Sequence, residues 1–355
     1  MSKNNPPSEI IAWQMTETEA PLVKRSLPVP ELKDDDLLIE VAGCGLCHTD
    51  LSFLYGGVKT KKALPLTLGH EFTGRVVATG SRYEEMVGKS VLVPAVLPCG
   101  ECELCKAGRD RACRNQVMPG NDLDGGFASH AVLPGRWICP VEPGDFDLWQ
   151  LGVVADAVTT PYQAAEIAKV DEADTVVVIG VGGIGSYGVQ VCAARGAKVI
   201  AVDIDQGKLD TILEYGATAA VNVKGLDGRA AKDAVRSAAK ESGLSRFAWK
   251  VFEMSGTGNG QALAYDLLTF AGTVGFIGFS RDKTNVRLGN LMAFDAQLFG
   301  NWGCSPKLYP AALDLVLSGK VKIKPFIRSF ALDEINDVLT MSKNHQIAER
   351  PVLVP

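Results

Sequence analysis

The chain holds 355 residues, of which 46% are hydrophobic and 22% charged, an ordinary globular composition. That length exceeds what one core usually fills, so two domains are expected. A net charge of -5 excludes a bulk electrostatic grip on nucleic acid. The terminal segment MSKNNPPSEI lacks the apolar core of a secretory signal. No apolar run reaches bilayer-spanning length, so a soluble, cytoplasmic protein is the expectation. Nine cysteines, four of them in one tight cluster, then read as metal binding rather than disulfides.

The first third is β-rich. Residues 37–41 (LLIEV), 74–78 (GRVVA) and 90–93 (SVLV) are short apolar strands bounded by Gly, Pro and charges. Alternating strands and helices begin near Leu151. Residues 175–179 (TVVVI) form a continuous apolar run, as expected of a buried parallel strand. A helix is predicted over 184–195 and a strand over 198–202. The alternation continues through 209–215, 219–222, 230–242, 249–253, 260–268 and 272–278. Such alternation builds a parallel, doubly wound sheet. After Asn301 the pattern changes to a helix near 308–318 and a closing PVLV strand. The natural reading is an α/β protein: a β-rich domain of residues 1–157 and 301–355, interrupted by a Rossmann domain of residues 158–300. There is no internal repeat and no low-complexity tract.

The segment TVVVIGVGGIG places Gly180, Gly182 and Gly185 in a G-x-G-x-x-G pattern between a strand and a helix. The first glycine allows a tight turn, the second lets a pyrophosphate approach the backbone, and the third lets helix and strand pack closely. Gly183 and Ile184 complete the turn. The helix N-terminus presents free N–H groups to phosphates. The next strand leads to Asp203, where an acid accepts from the adenosine ribose hydroxyls and repels a 2′-phosphate, which favours NAD over NADP. Asp205 is a second candidate for that role, but Asp203 fits the strand end better. The competing reading is a structural glycine-rich turn, disfavoured by the full strand–helix–strand context.

Cys99, Cys102, Cys105 and Cys113 follow the spacing C-x2-C-x2-C-x7-C. Four thiolates in a short loop complete a tetrahedral shell with no open position, so a structural zinc is expected. An iron–sulfur cluster is the second choice. Cys44, Cys139, Cys192 and Cys304 are isolated and read as small core hydrophobes. A second constellation lies in GCGLCHTD and GHEFTG, where Cys47 offers a thiolate and His70 an imidazole. A catalytic zinc takes three protein ligands and keeps one position open. The third ligand must come from further along, and Asp156 in VVADAVTTPYQA is the best candidate. An aspartate there is also a common helix cap.

These segments resemble the zinc-dependent medium-chain alcohol dehydrogenases over essentially the whole chain. The resemblance implies a GroES-like catalytic domain around the inserted Rossmann domain. It implies that Cys47, His70 and Asp156 hold a catalytic zinc, with Glu71 an alternate ligand, and that the four-cysteine ribbon holds a structural zinc. By the same resemblance Thr49 relays the alcohol proton and His48 lies near the cofactor phosphate or ribose. Thr160 and the backbone of Ile277, Gly278 and Phe279 lie beside the nicotinamide, as does that of residues 298–301, and Lys208 reaches the adenosine ribose. NAD and two zinc ions are the implied cofactors, a homo-oligomer (dimer or tetramer) the implied assembly, and the cleft between domains the implied substrate site. His130 and His345, with no motif around them, read as structural or solvated.

Family motifs do not select a substrate. Between the zinc motifs lie Lys59, Lys61 and Lys62, with Arg281 and Lys283 after a later strand. A solvated loop is the ordinary reading of such a run. The sequence also resembles the 6-hydroxycyclohex-1-ene-1-carbonyl-CoA dehydrogenases of anaerobic aromatic degradation. That resemblance implies oxidation of an alicyclic hydroxy-enoyl thioester of coenzyme A, whose phosphates the lysines would suit. A zinc alcohol dehydrogenase for small or aromatic free alcohols, and a non-catalytic zinc-stabilised binding protein, are the alternatives.

Overall fold

The computed structural model describes residues 7–355; the start of the terminal segment, residues 1–6, lies outside the described residues. Two compact units are present: Met1–Asp156 with Gly303–Leu313 and Ile323–Pro355, and Ala157–Trp302 with Asp314–Lys322.

The first unit opens with β1 (Glu9–Met15), β2 (Val23–Pro28) and β3 (Asp36–Gly45), then a short helix α1 (His48–Leu54). Strands β4 (Leu66–Thr67), β5 (Glu71–Thr79) and β6 (Ser90–Leu92) follow. After α2 (Glu103–Lys106) come β7 (His130–Pro134), β8 (Cys139–Pro140) and a 3-10 helix, Leu148–Ala155. The second unit runs α3 (Thr159–Ile167), β9 (Thr175–Ile179), α4 (Gly185–Ala194), β10 (Lys198–Asp203), α5 (Gln206–Leu213) and β11 (Ala219–Asn222). It continues through α6 (Gly228–Glu241), β12 (Lys250–Glu253), α7 (Gly258–Asp266), β13 (Thr273–Phe276), α8 (Gly289–Phe294) and β14 (Gln297–Gly300). Helix α9 (Tyr309–Leu317), β15 (Ile327–Ala331), α10 (Ile335–Lys343) and β16 (Arg350–Val354) close the chain.

In the first unit β3 is the hub. It pairs antiparallel with β5, β7 and β16, within a sheet ordered β15-β16-β3-β5-β6-β8. Leu37, Ile39, Phe72, Val91 and Phe127 are among the buried side chains of its core. In β1 burial alternates along most of the strand, as a half-covered sheet requires. The second unit holds a parallel sheet ordered β11-β10-β9-β12-β13-β14. Every residue of β9 is buried, because helices cover both faces of such a sheet. Val177, Ile200, Trp249, Val251 and Val274 lie in its core.

Three helices begin earlier than apolar periodicity places them. Asp205 caps α5 by accepting from the Lys208 amide at 3.2 Å, Asp227 caps α6 through Ala230, and Thr257 caps α7 through Gly260. Periodicity marks the first apolar residue of a helix, whereas a cap marks its first turn. The segment after Asn301 also differs from expectation: residues 314–322 group with the second unit. Gln190 explains this, since its side chain accepts from the Lys322 amide at 2.7 Å and donates to the Lys322 carbonyl at 3.2 Å. Among the described residues no helix is long and apolar enough to cross a membrane.

Candidate metal and cofactor sites

Cys47, His70, Glu71 and Asp156 bring one ligand atom each to within 4.8 Å of one another. Three local devices put them there. Cys47 precedes α1, and its amide donates to Asp50 at 3.0 Å, which fixes the turn. Gly69 has a φ of 96°, and its amide donates to the other Asp50 oxygen at 3.1 Å. A Cβ at Gly69 would stand 2.8 Å from the Cys44 sulfur, so the residue before His70 must be glycine. Asp156 ends the 3-10 helix 148–155, which is anchored at both ends. Thr73 donates to the Leu148 carbonyl at 2.6 Å, while the buried Tyr309 hydroxyl donates to the Ala155 carbonyl and accepts from the Ala95 amide at 3.0 Å.

The donor set fits zinc. The Asp156 carboxylate lies 3.8 Å from the Cys47 sulfur and 3.9 Å from His70 Nε2. A tetrahedral zinc with ordinary sulfur, nitrogen and oxygen bonds spaces its ligand atoms about 3.4–3.8 Å apart. Behind the imidazole, Nδ1 lies 3.5 Å from the Asp50 carboxylate, which leaves Nε2 facing the cluster. Burial disfavours a charged imidazolium, yet Asp50 and Cys47 outweigh it and hold the His70 pKa well above the usual histidine range. Burial raises Glu71 to about 7, against the pull of Arg350.

Arg350 is the residue that the sequence reading missed. It opens β16, and its guanidinium holds both oxygens of Glu71, with Nε to Oε2 at 2.7 Å. Glu71 is fully buried. A charged residue at the head of the apolar run PVLV is a signal the sequence does carry, since a buried arginine needs an acidic partner. Asp50 was missed as well; its only trace in the sequence is its place at the end of GCGLCHTD, three residues after Cys47.

In the ribbon, sulfur pairs lie 3.5–3.9 Å apart: Cys99–Cys105 at 3.9 Å, Cys102–Cys105 at 3.5 Å, Cys102–Cys113 at 3.7 Å and Cys113–Cys99 at 3.5 Å. Four sulfurs at 2.3 Å from one zinc lie about 3.8 Å apart. The backbone amides of Glu101 and Cys102 pull the Cys99 thiol down to about 6, while desolvation pushes Cys105 up to about 12. All nine cysteines are free of disulfides, so thiolate chemistry is open to this cluster. Ser305 and Lys307 reach Asp110 at 2.8 and 3.4 Å and tie the ribbon to the chain's return segment.

In the second unit Gly180 closes β9 with a φ of 86°, and a Cβ there would stand 2.5 Å from the Ser255 Cα. Gly182 has open space where a Cβ would be, as an approaching pyrophosphate requires, and Gly183 and Ile184 lead into α4 at Gly185. A Cβ on Gly185 would meet the Gly180 carbonyl at 1.7 Å. Asp203 ends β10 and accepts from the amides of Val181, Ile204 and Asp205 at 2.6, 2.8 and 3.0 Å. Asp205 is the cap of α5, which fixes its carboxylate on Lys208's amide. Thr160 lies buried on α3, its carbonyl accepting from Asn301 at 3.1 Å. Phe279 is exposed beyond β13.

The three lysines between the zinc motifs are not an open cluster. Lys61 pairs with Asp122 at 2.9 Å and Lys62 pairs with Asp124, while Lys59 has no ion pair among the described residues. Thr49 lies 3.6 Å from the Cys47 sulfur through its hydroxyl. His48 stacks on His345 with ring centroids 6.3 Å apart, so His345 is not an isolated surface residue. His130 contacts the Ser129 hydroxyl at 3.0 Å, in keeping with a structural role.

Residues 33–143 match the alcohol dehydrogenase GroES-like domain and residues 183–318 the zinc-binding dehydrogenase domain. The chain thus carries, in order, both domains of the zinc-binding alcohol dehydrogenases. This dehydrogenase is 29% identical over 329 residues to an alcohol dehydrogenase of Geobacillus stearothermophilus, covering 91% of this chain and 93% of that one. Among solved structures, it resembles an alcohol dehydrogenase of Aeropyrum pernix with a TM-score of 0.86 and 27% identity, over 97% of this chain and 100% of that one. It also resembles a zinc-binding dehydrogenase of Sinorhizobium meliloti bound to NADP, with a TM-score of 0.87 and 26% identity, over 98% and 100% of the two chains. Zinc and a nicotinamide dinucleotide are accordingly the dehydrogenase's cofactors.

Proposed function

We propose that the chain oxidises a secondary alcohol to a ketone with NAD, at a zinc held by Cys47, His70 and Asp156. One observation carries this reading: Arg350 occupies both oxygens of Glu71, so of the four clustered donors three remain for a metal with one position open. When bound, zinc polarises the substrate oxygen and eases loss of its proton, and the nicotinamide takes the hydride. The protein's part is orientation and proton handling. Thr49, beside the Cys47 sulfur, is placed to accept the alcohol proton, and His48, exposed next to it, to pass it toward water. Asp50 behind His70 holds the ring in the orientation that presents Nε2. Asp203 favours NAD over NADP by charge.

For the substrate, the sequence resemblance supports an alicyclic hydroxy-enoyl thioester of coenzyme A, with Lys59 as the lysine left to meet a phosphate. A small or aromatic free alcohol is the second reading. It is favoured by the ion pairs that neutralise Lys61 and Lys62. A cytoplasmic homo-oligomer belongs to the same proposal: Leu288 and Met292, beside and on α8, are 64% and 83% exposed and suit burial against a second copy. The test follows NADH absorbance with NAD, zinc-loaded enzyme and matched alicyclic alcohols, free and as CoA thioesters. The thioester should have the higher kcat/KM. A preference for the free alcohols would select the second reading, and no turnover of either would reject the activity.

A further inference from the structure

Glu253 ends β12 in the second unit and is fully buried. Its Oε1 accepts from the Ser255 amide at 2.8 Å, the Gly256 amide at 3.1 Å and the Ser255 hydroxyl. Its backbone carbonyl accepts from the amides of Ile277 and Gly278, both at 2.9 Å. Its Oε2 is buried with no hydrogen-bond partner. The packing around it leaves no slack. A Cβ on Gly278 would stand 2.8 Å from Oε2 and 2.3 Å from the Gly256 nitrogen, and one on Gly180 would meet Ser255. The ends of β12 and β13 therefore converge on one side chain, and the end of β9 packs against the Ser255 that it holds.

A buried acid without a cation is a poor device for stability, because it gives up hydration without an ion pair in return. Among the described residues Glu253 has no ion-pair partner, and burial raises its pKa. Its hydrogen bonds shape two loops instead. Those loops have a definite place in the sheet. In the order β11-β10-β9-β12-β13-β14 the direction of winding reverses between β9 and β12. Dinucleotides lie across the carboxyl ends of the strands at such a reversal, one mononucleotide on each half of the sheet. The Gly180 fingerprint and Asp203 belong to the half that takes the adenosine nucleotide, and Glu253 opens the other.

We propose that Glu253 is a positioning residue for the nicotinamide-nucleotide half of the cofactor: it holds the 255–256 turn against the 277–279 loop and so presets the backbone surface on which that half lies. This rests on the dinucleotide reading of the second unit. Glutamine has the same shape and can place its carbonyl where Oε1 stands and its amide where Oε2 stands. Alanine removes the acceptor, and aspartate keeps the acid but withdraws it by one methylene.

The test measures NADH binding by fluorescence and AMP binding by calorimetry, using the full-length, zinc-loaded protein and its variants Glu253→Gln, Glu253→Ala and Glu253→Asp. Glu253→Ala and Glu253→Asp should weaken NADH roughly tenfold, the loss of one to two hydrogen bonds' worth of order, and leave AMP within about twofold. Glu253→Gln should rescue NADH binding to within about threefold. A merely structural acid would lower thermal stability without separating NADH from AMP. Unchanged NADH affinity in both Ala and Asp variants, or equal losses for NADH and AMP, would overturn the proposal. Should Glu253→Ala not fold, the Asp variant alone decides between these outcomes. A wild type that binds neither ligand would reject the dinucleotide reading itself, and the positioning role with it.

Discussion

Arg350 donates through Nε to Oε2 of Glu71 at 2.7 Å, and its terminal nitrogen holds Oε1. Both side chains are buried, at 5% and 0% exposure, next to Cys47, His70 and Asp156. Breaking such a pair leaves a desolvated carboxylate with no partner, which costs about 3–5 kcal/mol. Arg350→Ala should therefore melt on the order of 10 °C below wild type. The double variant Arg350→Met/Glu71→Leu should recover much of that loss, because replacing both charges removes the orphaned acid. Calorimetry of the zinc-loaded proteins checks this, and a single variant that melts like wild type would contradict it.

Cys102→Ser addresses the ribbon. Its sulfur lies 3.5 and 3.7 Å from those of Cys105 and Cys113, so the change opens a closed four-thiolate shell. Zinc in such a shell contributes folding free energy. The variant should lose one zinc per chain and melt lower by roughly 10 °C. Enzyme that remains folded at low temperature should keep most of its turnover. Full metal content with unchanged melting would remove the ribbon from the metal sites.

Asp203→Gly should change cofactor choice. The variant loses the carboxylate that would accept from ribose hydroxyls and repel a 2′-phosphate. The expected outcome is NAD binding weakened about tenfold or more, with improved use of NADP. It also frees the amides of Val181, Ile204 and Asp205, so a modest drop in melting temperature should accompany the change. Steady-state kinetics with both cofactors decides it. A wild type that prefers NADP would refute the role outright.

Lys59→Ala tests the thioester reading apart from its paired neighbours. If a CoA phosphate meets this loop, the variant should raise KM for an acyl-CoA alcohol several-fold, with a smaller effect on kcat. Added salt should shrink the difference, because exposed charges are screened. Lys61 and Lys62 are held by Asp122 and Asp124, so the triple neutralisation should add little to the single one. Equal kinetics of wild type and Lys59→Ala on the thioester would exclude the loop as its binding site.

The glycine fingerprint, the ribbon and the alternation of strand and helix were legible because each is a local pattern with one physical cause. Gly69 and Gly180 stand where the backbone takes a positive φ against close neighbours, and the four ribbon cysteines are near in sequence as well as in space. Glu253 was not legible, and neither was the partner of Arg350. Arg350 reaches Glu71 across 279 positions of chain, and periodicity says nothing about such a pair. Glu253 ends an apolar strand like an ordinary polar residue, and its burial follows only from the meeting of three strand ends. The ion pairs of Lys61 and Lys62 were not legible either, because charge counting does not see Asp122 and Asp124 folding back on the run. The segment 314–322 was misplaced because its tie, Gln190, sits on α4 far upstream.

The central claim is that Cys47, His70 and Asp156 hold a catalytic zinc separate from the ribbon. It is tested most directly by metal analysis and turnover of wild type beside Cys47→Ala. Wild type should carry two zinc ions per chain, one for each cluster. The variant should keep its fold and one zinc, and lose activity on the order of a thousandfold, the several kcal/mol that a Lewis acid supplies. Two zinc ions retained in the variant, or turnover near that of wild type, would contradict the account.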